Sequence, residues 1–194
     1  MKKIGILNLG INNIKSINNA CKIIGSAYVI NKRSDFINNT DVIVLPGNGN
    51  FHAGIKMIKD LKFDEIILNF FNKRKKIITI CLGLQLLMEK SEESKNIRGL
   101  SIIKGNAVKI DSNKFRIPLL GWYDVEFDSK DEDKKSFFFN NSYMVKPDND
   151  KIIKAKVNSL IPAYIEFENI YGFQFHPEKS SIQGLNLLKK TINC

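Results

Sequence analysis

Between Lys3 and Ile80 the chain alternates short apolar runs with segments of helical period, and this alternation limits the possible folds more than any other feature. The apolar runs lie at 3–8, 27–31, 41–45 and 76–80; the third reads Val42-Ile43-Val44-Leu45 and is closed by Pro46-Gly47. An uninterrupted apolar run of this length suits a strand buried on both faces, as in a parallel sheet covered by helices. Between the runs, residues 13–24 put Ile14, Ile17, Cys21 and Ile24 on one helical face and stop at Gly25, and residues 63–72 repeat with helical period. Cys21 is therefore expected in the core. Strand, helix and parallel strand in succession imply right-handed βαβ units.

The second half changes character. Short β-like runs at 100–103, 107–110, 122–127, 136–140, 152–157, 164–168 and 171–175 are separated by turns, and one helix at about 181–191 closes the chain. The segment 128–135 reads as a charged loop. No Pro/Gly/Ser-rich linker divides the halves, so residues 1–194 are expected to form a single α/β domain, its mainly parallel sheet extended by antiparallel strands.

Composition narrows the function classes. With 43% hydrophobic and 26% charged residues the chain has the makings of a packed core. No run approaches the roughly 18 apolar residues of a spanning helix, and Met1-Lys2-Lys3 leads straight into a strand, so a cytoplasmic, non-membrane protein is expected. Three cysteines (Cys21, Cys81, Cys194) and two histidines (His52, His176) suit neither a disulfide framework nor a zinc site. The formal charge of +10 raises the question of nucleic acid. Its lysines are scattered, however, and the run Lys73-Arg74-Lys75-Lys76 carries no interleaved aromatic residue, so it reads as a solvated helix end.

Cys81 ends the fourth apolar run and precedes a helical segment, the place where open α/β sheets expose ligands and nucleophiles. At a helix N-terminus a thiolate is stabilised, although a small buried cysteine would fit the same pattern. A thiol nucleophile needs a base. His176 follows an apolar strand in His176-Pro177-Glu178, where i and i+2 of an extended chain face the same way and Glu178 can orient the ring. His52 has no such partner and reads as a surface or capping residue. An oxyanion cradle needs backbone N–H groups: Leu82 after the cysteine is one source, and the turn Pro46-Gly47-Asn48-Gly49 is another, through Asn48 or Gly49, if it lies beside Cys81.

Taken together, Leu45 to Phe51, Ile80 to Leu87 and Gly172 to Ser180 resemble the three signatures of class I (triad) glutamine amidotransferases. Within them the chain is most similar to the glutaminase subunits of imidazole glycerol phosphate synthase. Gly10 to Ser16, Pro118-Leu119-Leu120-Gly121-Trp122 and Asn141-Ser142-Tyr143 extend that likeness along nearly the whole chain, and Lys179 after the His-Pro-Glu separates it from anthranilate-synthase-type glutaminases. The resemblance implies a flavodoxin-like fold with helices on both faces. It also implies a Cys81, His176, Glu178 triad that hydrolyses L-glutamine through a thioester, with Gly47, Gln85, Ser142 and Tyr143 gripping the substrate and no metal or organic cofactor. The partner it implies is a (β/α)₈ cyclase subunit that takes the ammonia into histidine synthesis. Thr79, Leu119 and Asn141 depart from the pattern, where the family has a glycine and two histidines. Those departures suggest a paralogue feeding a sugar amidotransferase of surface-polysaccharide synthesis as the alternative; a nucleic-acid-binding protein with a coincidental triad is a remoter one.

Overall fold

The computed structural model describes residues 1–11, 13–128 and 135–194. Asn12 and most of the charged segment at 128–135 lie outside the described residues. The strands are β1 (Lys3–Leu7), β2 (Ser26–Ile30), β3 (Val42–Gly47), β4 (Lys76–Cys81), β5 (Lys90–Ser91), β6 (Gly105–Lys109), β7 (Leu119–Phe127), β8 (Lys135–Asn141), β9 (Tyr143–Pro147), β10 (Ile153–Val157), β11 (Ile161–Phe167) and β12 (Ile170–Phe173). The helices are α1 (Ile14–Ile24), α2 (Phe51–Asp60), α3 (Phe63–Asn72), α4 (Leu82–Gln85) and α5 (Ser181–Asn193).

The main sheet has nine strands in the order β2-β1-β3-β4-β12-β11-β10-β7-β8. From β2 to β12 all neighbours are parallel, and from β12 to β8 all are antiparallel. The parallel part has the flavodoxin-like order, which puts ligand sites beyond the carboxyl ends of the strands. Because side chains alternate across a strand, one apolar run supplies two cores. Ile4, Ile6, Val42, Val44, Ile78 and Ile80 pack with α1 and α5 on one face. Ile43, Leu45 and Ile77 pack with α2, α3 and α4 on the other.

Three expectations are corrected. Residues 100–103 form no strand: Ser101 has φ +55°, and the N–H groups of Leu100, Ile102 and Ile103 donate to the carbonyls of Leu86 and Leu87. That same bonding takes the chain after Gln85 out of the helix, so α4 is one turn, not a helix through Met88. The third correction concerns the strand expected at 107–110: β6 does not extend the main sheet but lies in a second one, β5-β6-β9, whose strand β9 directly follows Ser142 and gives no separate signal in the sequence.

Candidate active site

The carboxyl ends of β3 and β4 and the chain beyond β12 converge at Cys81. Gly47 pairs with Cys81 across β3 and β4, so β3 runs through Pro46 and Gly47 without turning. A Cβ on Gly47 would lie 2.6 Å from the Gly83 nitrogen, and one on Gly83 would lie 2.0 Å from the Leu45 carbonyl oxygen. Both positions therefore need glycine for backbone to pack on backbone. This contact brings Asn48 and Gly49 beside Leu82.

Cys81 occupies a strained corner, φ +52° and ψ −114°, a conformation that costs on the order of 1–3 kcal/mol and persists only where packing imposes it. Strand parity would group Cys81 with Ile77 and Thr79, yet the residue packs in the opposite core with Ile78 and Ile80. The corner has turned the thiol across the sheet edge, to 4% exposure. Its sulfur lies 3.8 Å from the Asn140 carbonyl oxygen as donor and accepts from Gln174 Nε2 at 3.9 Å.

His176 is 4% exposed, and its Nδ1 donates to Glu178 Oε1 at 2.9 Å. The geometry differs from the extended chain expected: residues 177–179 form a 3₁₀ turn that brings Glu178 back under the ring. The His176 main chain is braced on β8, its N–H donating to the Phe138 carbonyl at 2.8 Å and its carbonyl accepting from Ser180 Oγ at 2.6 Å. Nε2 is buried and makes no hydrogen bond of good geometry. Burial opposes the imidazolium, but the hydrogen bonds and negative charges of Cys81 and Glu178 outweigh it and raise the pKa to about 10. A proton on His176 is thus stabilised by the sulfur and carboxylate on either side of it. α4 is only one turn long, shorter than the helix expected after Cys81.

A cleft of about 270 Å³ opens over the sulfur, lined among others by Asn48, Gly49, Cys81, Leu82, Gln85 and Tyr143. Ser142 also lines it, so Gln85, Ser142 and Tyr143 share one cavity, while Gly47 lies outside its lining, packed against Leu82 and Gly83. A larger hollow of about 340 Å³ lies between α5 and the strands carrying Phe127, Tyr164 and Tyr171, away from this machinery. Glu93, Gln174 and Asn140, whose carbonyl faces the sulfur, escaped the sequence reading. Glu93 lines the cleft and accepts from the Phe51 N–H at the start of α2 at 2.7 Å; it sits in a polar turn, where an acid gives no signal. Gln174 lies inside the His-Pro-Glu signature, and its alternation with Gly172 and His176 was the available clue. His52 is exposed on α2, outside the cleft.

The departures also find their places. Thr79 is fully buried opposite Gly172, where a Cβ would lie 3.1 Å from Thr79 Oγ1. Leu119 is buried and pairs with Asn141, whose Nδ2 donates to the Tyr143 carbonyl at 3.0 Å while its Oδ1 has no partner.

Residues 5–193 match the family described as glutamine amidotransferase class-I. The imidazole glycerol phosphate synthase subunit HisH of Halalkalibacterium halodurans is 31% identical, the match covering 96% of this chain and 93% of that one. The HisH subunit of Methanocaldococcus jannaschii is 34% identical over 97% of this chain and 98% of its own. Among solved structures, a glutamine amidotransferase superposes with a TM-score of 0.79 at 14% identity, covering 98% of this chain and 99% of the other. The PurLQS structure from Thermotoga maritima gives 0.75 at 17%, over 99% and 98%; both likenesses speak to the fold.

Proposed function

The chain belongs to the class I glutamine amidotransferases, in the family of imidazole glycerol phosphate synthase HisH subunits, and from that premise we propose that it hydrolyses L-glutamine at Cys81 and delivers the ammonia to a cyclase subunit. The observation that carries the reading is the corner at Cys81, which turns a buried sulfur toward the buried His176–Glu178 pair.

With the proton held on His176, the Cys81 thiolate attacks the side-chain amide carbon of glutamine. The N–H groups of Leu82 and of Asn48 or Gly49 hold the developing oxyanion. His176 then protonates the departing ammonia and afterwards activates the water that cleaves the γ-glutamyl thioester, while Glu178 keeps its ring oriented throughout. Gly47, Gln85, Ser142 and Tyr143 seat the substrate. Glu93 supplies the carboxylate that a charged α-amino group requires, in the same cleft as the nucleophile. These steps need no metal or organic cofactor.

Ammonia is useful as a nucleophile only before water protonates it, so the site must face a synthase that consumes it. The relatives' names favour imidazole glycerol phosphate synthase over a sugar amidotransferase. The partner in this reading is a (β/α)₈ cyclase subunit, in the cytoplasm. The test is glutamate release from L-glutamine by the chain with and without the cyclase subunit loaded with its nucleotide. Stimulation by the partner is expected, with a loss on the order of 10³-fold or more in Cys81→Ala. Full activity in Cys81→Ala would overturn the assignment.

A further inference from the structure

Behind the sulfur, three polar groups are joined in a way that allows only one orientation. The Tyr143 carbonyl can only accept, so Gln85 turns its amide nitrogen to it, at 2.9 Å. The same nitrogen reaches Gln174 Oε1 at 3.4 Å, so the carbonyl end of Gln174 faces Gln85. The amide nitrogen of Gln174 is left facing Cys81 Sγ, at 3.9 Å. Gln174 is fully buried, so no water competes for this donor. The relay therefore ends at the sulfur in a group that can only donate.

We propose that Gln174 is a positioning residue of the glutaminase site, holding an N–H donor against the Cys81 thiolate and at the same time fixing the amide of Gln85. The inference rests on the reading of Cys81 as nucleophile. A Cys81 thiol can donate to the Asn140 carbonyl, but with the proton on His176 that carbonyl offers the sulfur nothing. The Gln174 donor then gains strength, because hydrogen bonds to a charged partner are about twice as strong as neutral ones. The charged groups facing the sulfur are His176 and, behind it, Glu178; Glu93 shares the cleft, and Tyr143 is the remaining ionisable group there. Fixing Gln85 in turn leaves its carbonyl oxygen as an acceptor for the substrate in the cleft it lines.

The experiment follows alkylation of Cys81 by iodoacetamide against pH in the full-length chain, by mass spectrometry in a Cys194→Ser background. Gln174→Met removes donor and acceptor at nearly constant volume and is expected to move the profile up by about one pH unit, with a higher KM for glutamine. Gln85→Met is expected to move it in the same direction by less, since Gln174 then loses the bond that orients it. Where Gln174→Met does not fold, Gln174→Asn, which withdraws the amide by one methylene, is read in its place. A lower melting temperature with an unmoved profile would assign Gln174 a packing role only and overturn the proposal. Failure of the nucleophile reading looks different: Cys81→Ala would keep releasing glutamate whatever the profile of Gln174→Met.

Discussion

Thr79 buries a hydroxyl that has no hydrogen-bond partner, at a strand position where Gly172 across the ladder makes room for its bulk. An unsatisfied buried polar atom costs more than it returns, so Thr79→Val, of the same shape, is expected to raise stability by about 1 kcal/mol, read from the urea midpoint. The departure from the family's glycine is thus absorbed by the neighbouring strand and leaves the corner at Cys81 intact. His176 makes a second prediction at this scale. Its pKa is about 10 in the fold against an ordinary 6.5, so the fold favours the protonated form. That stability is fully present below about pH 6.5 and is lost as pH rises through about 10. The difference in melting temperature between the parent and His176→Asn should narrow over that interval, and a difference that is constant with pH would contradict the proton-holding role.

Among the elements, β4 owes its position to both of its ends. At the far end the strained Cys81 corner is held by Gly47 and Gly83; at the near end Lys76 reaches the carbonyls that close α5, with Nζ 2.6 Å from Thr191 O and 3.0 Å from Cys194 O. A cation at a helix C-terminus answers both the orphan carbonyls and the macrodipole. Burial lowers the pKa of this lysine against the pull of nearby negative charge, so part of its bonding energy is spent on desolvation. Lys76→Met is accordingly expected to cost about 1–2 kcal/mol and to speed amide exchange in the last turn of α5 before the rest of the chain. The basic run at 73–76 is thus more than a solvated helix end: Arg74 pairs with Glu168, and Lys75 donates to the Thr40 carbonyl at 3.0 Å.

At the scale of the whole molecule, the antiparallel extension sets exposed apolar side chains beside the cleft. On β7, Leu119 points into the core while Leu120 and Trp122 stand 61% and 53% exposed, with Trp122 edge-on to Phe138 of β8. Leu120 pairs with Asn140, which lines the cleft, so this apolar patch adjoins the site that must hand over ammonia. Trp122→Ala is expected to weaken binding of the cyclase subunit by about 2 kcal/mol, measured by calorimetry, without changing the melting temperature of the free chain. The parallel half of the sheet, the core place of Cys21 and the grouping of Cys81, His176 and Glu178 were legible in the chain, because apolar runs, helical period and short signatures are local properties. Glu93, the β5-β6-β9 sheet and the amide relay through Gln174 were not, because each depends on segments distant in sequence. Local chemistry and period determined the parallel strands β1 to β4 and singled out Cys81, His176 and Glu178 as candidates. Only packing in three dimensions decided that Cys81 turns across the sheet edge, and that the amide of Gln174 ends at its sulfur, since both follow from contacts that no stretch of sequence contains.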